Sequence, residues 1–544
     1  MRYCQDRYNF QRFYLVVTFI FICGLLILGR LFYCQIVKGG ILVSTARKVS
    51  VSNHQRGKIF VTDRFGASWP IAFNISKWLL IANPSKIDDP IAVLKQLSPF
   101  LGISEDIFQE GYVQEKEEGL KFKSLVDRLS NKNSYYEVLK IIGQQEKEEI
   151  EKLKIPGIYF EFLKGRSWPE KKYFGHITGF ARFEGKTLVG QYGLEKLLNE
   201  NPERDIYLTL DRNLQFFSCN LLEEAIAKYQ AEGGTIIVLS KDGAVRVMCS
   251  LPGFDPNQYS EIKDFHIFEN PAVTEPYEPG SIFKVITMAS ALDANKVKPD
   301  STYFDKGFVA IGPEPEIIKN ANEKKYGWQT MTNVLEKSLN TGAVWVARKT
   351  GRELFRYYLK EFGFGSLTGI ELPGEAKGNL DNLDKPGEIY LATASFGQGI
   401  TATPLQIANS FLAIANKGKL YRPYIIKEKG PYFVRQVIRE KTAKNLTQML
   451  VSVVENGYGR RAGVTGYKIA GKTGTAQVPD IEKGGYSERV IHSFAGFGPA
   501  ENPQFVGFVK LINPKKGKFS DSTAAPTFSK LAEFVLRYYH IAPE

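Results

Sequence analysis

Ser281-Ile282-Phe283-Lys284 sets a hydroxyl and an amine three positions apart. On a helix such positions share a face, so the two groups become neighbours. A serine hydroxyl is a weak nucleophile and needs a base. Lysine can be that base once desolvation and a nearby cation lower its pKa from about 10.4 toward roughly 7–8. Tyr277-Glu278-Pro279-Gly280 leads into the segment and puts Ser281 at the expected N-terminus of a helix. There the dipole and unpaired N–H groups favour developing negative charge. In the bland alternative, Ser281 only caps the helix.

Two later segments carry matching chemistry. Ser338-Leu339-Asn340 lies beside a helical run over 332–349 and offers a hydroxyl to relay a proton and an amide to hold a peptide group. Lys472-Thr473-Gly474-Thr475 offers an amine and two hydroxyls to a carboxylate. Gly474 there lets a substrate backbone approach closely, as an edge strand beside a site requires. Each motif alone is weak; the three in order and widely spaced are strong. Residues 466–473 also fit G-x-x-x-x-G-K-[ST], but a phosphate-binding loop should open a helix, and Gly474 to Pro479 reads as strand and then break. None of the five histidines sits in H-E-x-x-H, and no G-x-S-x-G occurs, which removes the usual metalloprotease and α/β-hydrolase signatures.

The elements that must position these residues follow from periodicity. Ile206 to Leu210 reads as a strand and Asp211 to Tyr229 as an amphipathic helix. Gly234 to Ser240 and Ala244 to Ser250 form β-rich runs joined by the hairpin signal Lys241-Asp242-Gly243. Ser281 to Leu292 is apolar nearly all round, so that helix should be buried. Thr403-Pro404-Leu405-Gln406 is a capping box with proline at the first helical position. Strand-like runs follow at Tyr467 to Val478, Ser493 to Gly498 and Phe505 to Asn513, then a helix over Ala524 to Tyr539. Strands, helices and strands again predict a mainly antiparallel sheet with helices packed on it. Residues 40–205 mix short strands with charged helices such as Gln144 to Leu153 and show no catalytic constellation.

A chain of 544 residues exceeds one ordinary core, and 43% hydrophobic with 24% charged residues is globular rather than disordered. The formal charge of +13 is spread among acidic neighbours, so solvated charge is favoured over nucleic-acid binding. Phe13 to Gly29 is uncharged and sits at the lower limit for spanning a bilayer, with Leu31 to Tyr33 able to extend it. No A-x-A-like cleavage site follows, which favours an uncleaved anchor over a signal peptide. Flanking charges do not decide the orientation. The five cysteines contain no C-x-x-C, and nothing in their spacing supports a Cys219–Cys249 bridge.

At this point the sequence resembles the penicillin-binding protein family, class B, over nearly its whole length. The resemblance rests on Tyr277 to Lys284, on K-S-L-N-T-G (Lys337 to Gly342), and on F-G-Q-G (Phe396 to Gly399) with T-P-L-Q (Thr403 to Gln406). It rests also on G-K-T-G-T-A-Q (Gly471 to Gln477), R-G-K-I-F (Arg56 to Phe60), D-R-F-G (Asp63 to Gly66), G-Q-Y-G-L-E (Gly190 to Glu195) and P-G-F-D-P-N (Pro252 to Asn257). It implies an α/β (α+β) transpeptidase domain of the serine β-lactamase-like type, an antiparallel sheet with helices on both faces. A short cytoplasmic tail (1–12), a transmembrane anchor (13–33) and a mixed α/β pedestal for dimerisation or docking (40–205) would precede it, and the transpeptidase domain would span 206–544.

The implied reaction is cross-linking of peptidoglycan stem peptides outside the cytoplasmic membrane, with no metal or cofactor. Ser281 would attack the D-Ala-D-Ala carbonyl and release D-Ala, Lys284 would be its base, and Ser338 would relay protons. Asn340 would hold the acyl-donor peptide. Lys472, Thr473, Gly474 and Thr475 would bind substrate, with the terminal carboxylate on Lys472 and the two threonines, and the N–H groups of Ser281 and Thr475 would form the oxyanion hole. β-Lactams, a membrane glycan polymerase and other division proteins are the implied partners. Asn340 in place of Asp, with Ser493 to Pro499, leans toward the septal branch. Two departures touch the pedestal: Val61 and Thr62 are extra, and the stretch after Glu195 is short. A carboxypeptidase, a β-lactamase and a sensor that acylates without turnover share the same motifs.

Overall fold

A 15-residue strand, Ser68–Ala82, is the spine of the N-terminal sheet. Its first part pairs antiparallel with Ile59–Thr62; its second part lies between Glu137–Ile142 and Ile158–Ser167. Val61 and Thr62, the two residues extra to the family pattern, lengthen the short strand and face Trp69 and Ser68. Ile59–Thr62 also pairs in parallel with Ile206–Asp211. Helix Pro90–Leu101 is capped by Asp89, starts on Pro90 and ends on left-handed Gly102. With Glu117–Ser130 and Gln144–Lys152 it buries Leu80, Leu94, Leu97, Leu129 and Ile150 in one core. This is a computed structural model, and it describes residues 17–19, 21–30, 33, 55–108, 117–185, 187–313, 315–321, 323–480 and 483–543.

The expected tail (1–12) and residues 13–16, 20, 31 and 32 of the expected anchor lie outside the described residues. Residues 17–19 and 21–30 are helical. Among the described residues no helix is long and apolar enough to cross a membrane.

The R-G-K-I-F and G-Q-Y-G-L-E segments meet inside the protein. Arg56 Nε donates to Glu195 Oε2 at 2.5 Å, and Arg166 Nε donates to Glu195 Oε1 at 2.7 Å. All three side chains are buried, with Glu195 fully enclosed. Asn199 accepts from Arg56, and Asn74 joins both arginines by donating to the Arg56 carbonyl and accepting from Arg166.

The C-terminal sheet runs Ala470–Pro479, Tyr486–Gly498, Phe505–Ile512, Gly233–Ser240, Val245–Leu251, and every pairing is antiparallel. Ala470–Pro479 is therefore an edge strand. Ile236, Val238, Phe494 and Val509 point from the sheet into a core with helices Arg212–Tyr229 and Ala524–Tyr538. The alternate residues Ile237 and Leu239 are equally buried, and the wholly buried helix Pro404–Ala415 packs on the same strands. Side chains alternate across a strand, so helices cover both faces. Each fully buried leucine, isoleucine or phenylalanine contributes roughly 1.5–3 kcal/mol to this sandwich.

Local details differ from the sequence reading at three places. The segment at Ser281 is a 3-10 turn, Gly280–Phe283, that feeds the α-helix Lys284–Asp293. The run over 332–349 is two helices, Met331–Glu336 and Asn340–Thr350, broken where Ser338 takes φ 53°. Cys219 and Cys249 form a disulfide, because helix Arg212–Tyr229 lies on strand Val245–Leu251 and brings their Cα atoms to 5.7 Å. The capping box at Thr403 is present as expected: Gln406 N–H donates to Thr403 Oγ1 at 3.2 Å and Thr403 N–H to Gln406 Oε1 at 2.9 Å.

Candidate active site

The turn that carries Ser281 is held by backbone on one side and by the edge strand on the other. Tyr277 and Ala402 exchange two hydrogen bonds of 3.0 Å, and Gly280 N–H donates to Gly397 O at 3.0 Å. Gly397 has φ 78°, and a Cβ there would lie 2.7 Å from Gly280 N. The F-G-Q-G loop thus lies flat against the turn because it presents no side chain at that point.

Lys284 Nζ lies 3.0 Å from Ser281 Oγ and 3.2 Å from Ser338 Oγ, and donates to the Ser338 carbonyl at 2.6 Å. Lys472 Nζ reaches the same hydroxyl from the edge strand, 3.0 Å from Ser338 Oγ, with Thr473 O at 3.0 Å and Thr473 Oγ1 at 3.2 Å. The left-handed backbone of Ser338 explains the break between the two helices: it turns both the carbonyl and the hydroxyl toward the ammonium groups. Ser281, Lys284, Ser338 and Lys472 form one continuous polar chain.

Both lysines are fully buried and have only hydroxyl and carbonyl oxygens as hydrogen-bond partners. Burial, and after it the charge of Lys472, holds the Lys284 ammonium well below the ordinary lysine range. Burial brings Lys472 down to about 7. A neutral Lys284 beside Ser281 can accept the hydroxyl proton, which meets the requirement for a base near neutral pH.

A cleft of ≈ 930 Å³ opens over this chain, and Ser281, Ser338, Asn340, Thr473 and Thr475 line it. That volume suits an extended peptide. The edge strand splits its residues between two sides. Thr473, Thr475 and Gln477 line the cleft, whereas Lys472 and Gly474 do not. Gly474 was expected to admit substrate backbone; instead a Cβ there would collide with the Ser493 hydroxyl and lie 3.0 Å from Ile282 Cβ. Its close neighbour is the chain's own reactive turn. Residues 470–479, which carry the end of the pattern, form a strand rather than opening a helix, so the phosphate-loop pattern has no matching structure.

Asn340 Nδ2 donates to Lys319 O at 2.9 Å and so supports the cleft strand Glu316–Lys319. Thr475 Oγ1 lies 3.1 Å from Ser520 Oγ and accepts from Ser520 N–H at 3.3 Å. The sequence reading missed Ser520, Lys319 and Tyr486 as cleft residues. Gln398 and Glu278 stood inside quoted motifs without a role. No local pattern marks Ser520, which reaches the site only through the fold.

Comparison with known proteins follows the same line. Residues 233–533 match the family model described as the penicillin-binding protein transpeptidase domain. The chain is 33% identical to stage V sporulation protein D of Bacillus subtilis (strain 168), across 95% of this chain and 84% of that one. It is 27% identical to the peptidoglycan D,D-transpeptidase FtsI of Escherichia coli (strain K12), across 99% and 94%. Penicillin-binding protein 3 from Mycobacterium tuberculosis, solved with aztreonam, superposes with a TM-score of 0.68 at 25% identity, covering 90% of this chain and 98% of that structure. With its sheet, its Ser–Lys–Ser–Lys chain and these relatives, the protein belongs to the class B penicillin-binding proteins.

Proposed function

We propose that this chain is a serine D,D-transpeptidase that cross-links peptidoglycan stem peptides through an acyl-enzyme on Ser281. The observation that carries the reading is a buried Lys284 amine, depressed in pKa, 3.0 Å from the Ser281 hydroxyl in a peptide-sized cleft. Ser281 Oγ bonds to the carbonyl carbon of the penultimate D-Ala while Lys284 takes its proton. The oxyanion is held by the N–H groups of Ser281 and Thr475. The carbon–nitrogen bond then breaks, and a proton passes through Ser338 to the departing D-Ala amine. The amine of a second stem peptide attacks the ester, forms the new amide and returns Ser281 to its hydroxyl.

In this reading Thr473 and Thr475 offer hydroxyls to the substrate carboxylate, and Lys472 acts on it from beneath by charge. Asn340 holds the donor peptide. Residues 13–33 anchor the chain, 40–205 form a docking pedestal and 206–544 form the catalytic domain on the outer side of the cytoplasmic membrane. The Cys219–Cys249 disulfide supports that side, since such bridges persist in oxidising compartments. A membrane glycan polymerase and division proteins are the proposed partners.

The test is labelling with fluorescent penicillin followed by peptide mapping. An adduct on Ser281, absent in Ser281→Ala, is expected; an adduct on another serine overturns the assignment. A septal role is proposed from Asn340 and the Ser493–Pro499 segment. The relative at 33% identity favours a second setting, sporulation, for the same chemistry. Depletion in the source organism separates the two: unseptated filaments mark the first, and normal division with defective spores marks the second.

A further inference from the structure

Glu278 stands three residues before Ser281, between two walls of the cleft. Its Oε1 accepts from Gly399 N–H at 2.9 Å, and its Oε2 accepts from the Tyr486 hydroxyl at 2.9 Å. Gly399 closes the F-G-Q-G loop, whose Gln398 lines the cleft. Tyr486 opens the second strand of the sheet and also lines the cleft. The main chain beneath the carboxylate is fixed by the Tyr277–Ala402 and Gly280–Gly397 hydrogen bonds. One side chain therefore ties the reactive turn to both walls.

Tyr486 is 41% exposed, and a ring so placed would sample several rotamers if its hydroxyl were solvated. A carboxylate acceptor is a strong partner because it is ionised. Burial pushes the Glu278 carboxyl and the Tyr486 hydroxyl upward, while the bonds from Gly399 and Tyr486 favour the carboxylate. Nothing in the proposed chemistry needs Glu278 to exchange a proton, and its oxygens are both occupied by cleft elements. Its position fits a clasp.

We infer that Glu278 is a positioning residue that locks Tyr486 as a wall of the cleft, so that the Glu278–Tyr486 clasp sets how tightly ligand is held before Ser281 reacts. This rests on the reading of the cleft as the acylation site. Acylation of the full chain by benzylpenicillin, followed against drug concentration, separates a half-saturating concentration from a limiting rate. Tyr486→Phe keeps the ring and deletes the hydroxyl. Tyr486→Phe and Glu278→Ala are each expected to raise the half-saturating concentration about tenfold, with the limiting rate held within about twofold. The double variant should be no worse than Glu278→Ala alone, because Tyr486→Phe then deletes a hydroxyl whose partner is already gone. Glu278→Gln keeps an acceptor for Gly399 N–H and offers an N–H to the Tyr486 oxygen, so it should recover most of the loss.

Should Glu278→Ala fail to fold, Tyr486→Phe decides alone. An unchanged half-saturating concentration in Tyr486→Phe, with the unsubstituted protein still labelled on Ser281, overturns the inference. Additive losses in the double variant overturn it as well. Absence of any Ser281 adduct in the unsubstituted protein overturns instead the reading on which the inference stands.

Discussion

Arg56 and Arg166 share one buried carboxylate, whereas Lys284 and Lys472 share the Ser338 hydroxyl and otherwise meet only hydroxyls and carbonyls. Both clusters take two cations out of water. In the first, Glu195 bonds both guanidinium groups, and its charge opposes the lowering that burial imposes on Arg166, so the cluster gains geometry. In the second, hydrogen bonds replace only part of the lost hydration, and the ammonium groups lower their pKa values instead. A cluster given a counter-charge builds structure; one without it yields a base. Arginine suits the first because it stays charged and bonds through a planar fork, and lysine suits the second because it can give up its proton.

The largest effects test that contrast at the reactive end. Ser281→Ala should abolish covalent labelling while thermal melting stays near that of the parent; a loss of about 1 kcal/mol in stability with labelling intact would make Ser281 only a cap. Lys284→Ala should slow acylation by about 10²- to 10⁴-fold, read from the rate of adduct formation by intact-mass spectrometry. Next comes the cluster with the counter-charge. Glu195→Gln leaves two buried guanidinium groups without a counter-charge and should cost about 3–5 kcal/mol in urea unfolding. Its folded fraction should still acylate at the parental rate; a slowed rate with unchanged stability would erase the distinction between the clusters.

Smaller effects sharpen it. Thr475→Ala should weaken acylation by roughly ten- to a hundredfold, the loss of a bond to a charged group, with the melting temperature nearly unchanged. Unfolding of that variant would move Thr475 from the site to the core. Lys472→Met removes the cation that helps to depress Lys284. The Lys284 pKa should then rise, and the acid limb of the pH–acylation profile should move up by about one pH unit. Stability offers the matching sign. A depressed lysine binds fewer protons folded than unfolded, so its penalty is largest below its folded value of about 7 and fades as pH rises toward the unfolded value. The stabilisation of Lys472→Met over the parent should therefore shrink between neutral and alkaline pH.

What the sequence made legible was local chemistry. Ser281 and Lys284 could be paired on paper because spacing on a turn of helix fixes their proximity, and the Thr403–Gln406 box is closed within four residues. The sheet followed from runs of β-rich residues whose faces are both buried. Ser338 was harder: no glycine or proline marks its left-handed backbone, which is set by a carbonyl turned toward Lys284 from 54 residues away. The side to which Lys472 and Gly474 point depends on strand register against Tyr486–Gly498, which periodicity alone leaves open. Arg166 had no motif around it, although it completes the cluster that Arg56 and Glu195 announce. The Cys219–Cys249 pair depended on a helix crossing a strand, and Ser520 on the segment after the middle strand Phe505–Ile512 that returns to the edge strand.

Gly397 and Gly474 hold the F-G-Q-G loop and the edge strand hard against the reactive turn, with no room for even a methyl group. Drug pressure meets the same constraint. A lineage exposed to β-lactams cannot loosen the site at these two positions, because any side chain there pries apart the elements that aim Ser281, and wall synthesis would fail together with drug binding. The permissive positions are those whose side chains face the open cleft, Ile317, Gln398, Gln477 and Tyr486 among them. Resistance in this enzyme would therefore be written on the walls of the cleft, and the glycines would remain as a fixed target for inhibitors that contact main chain.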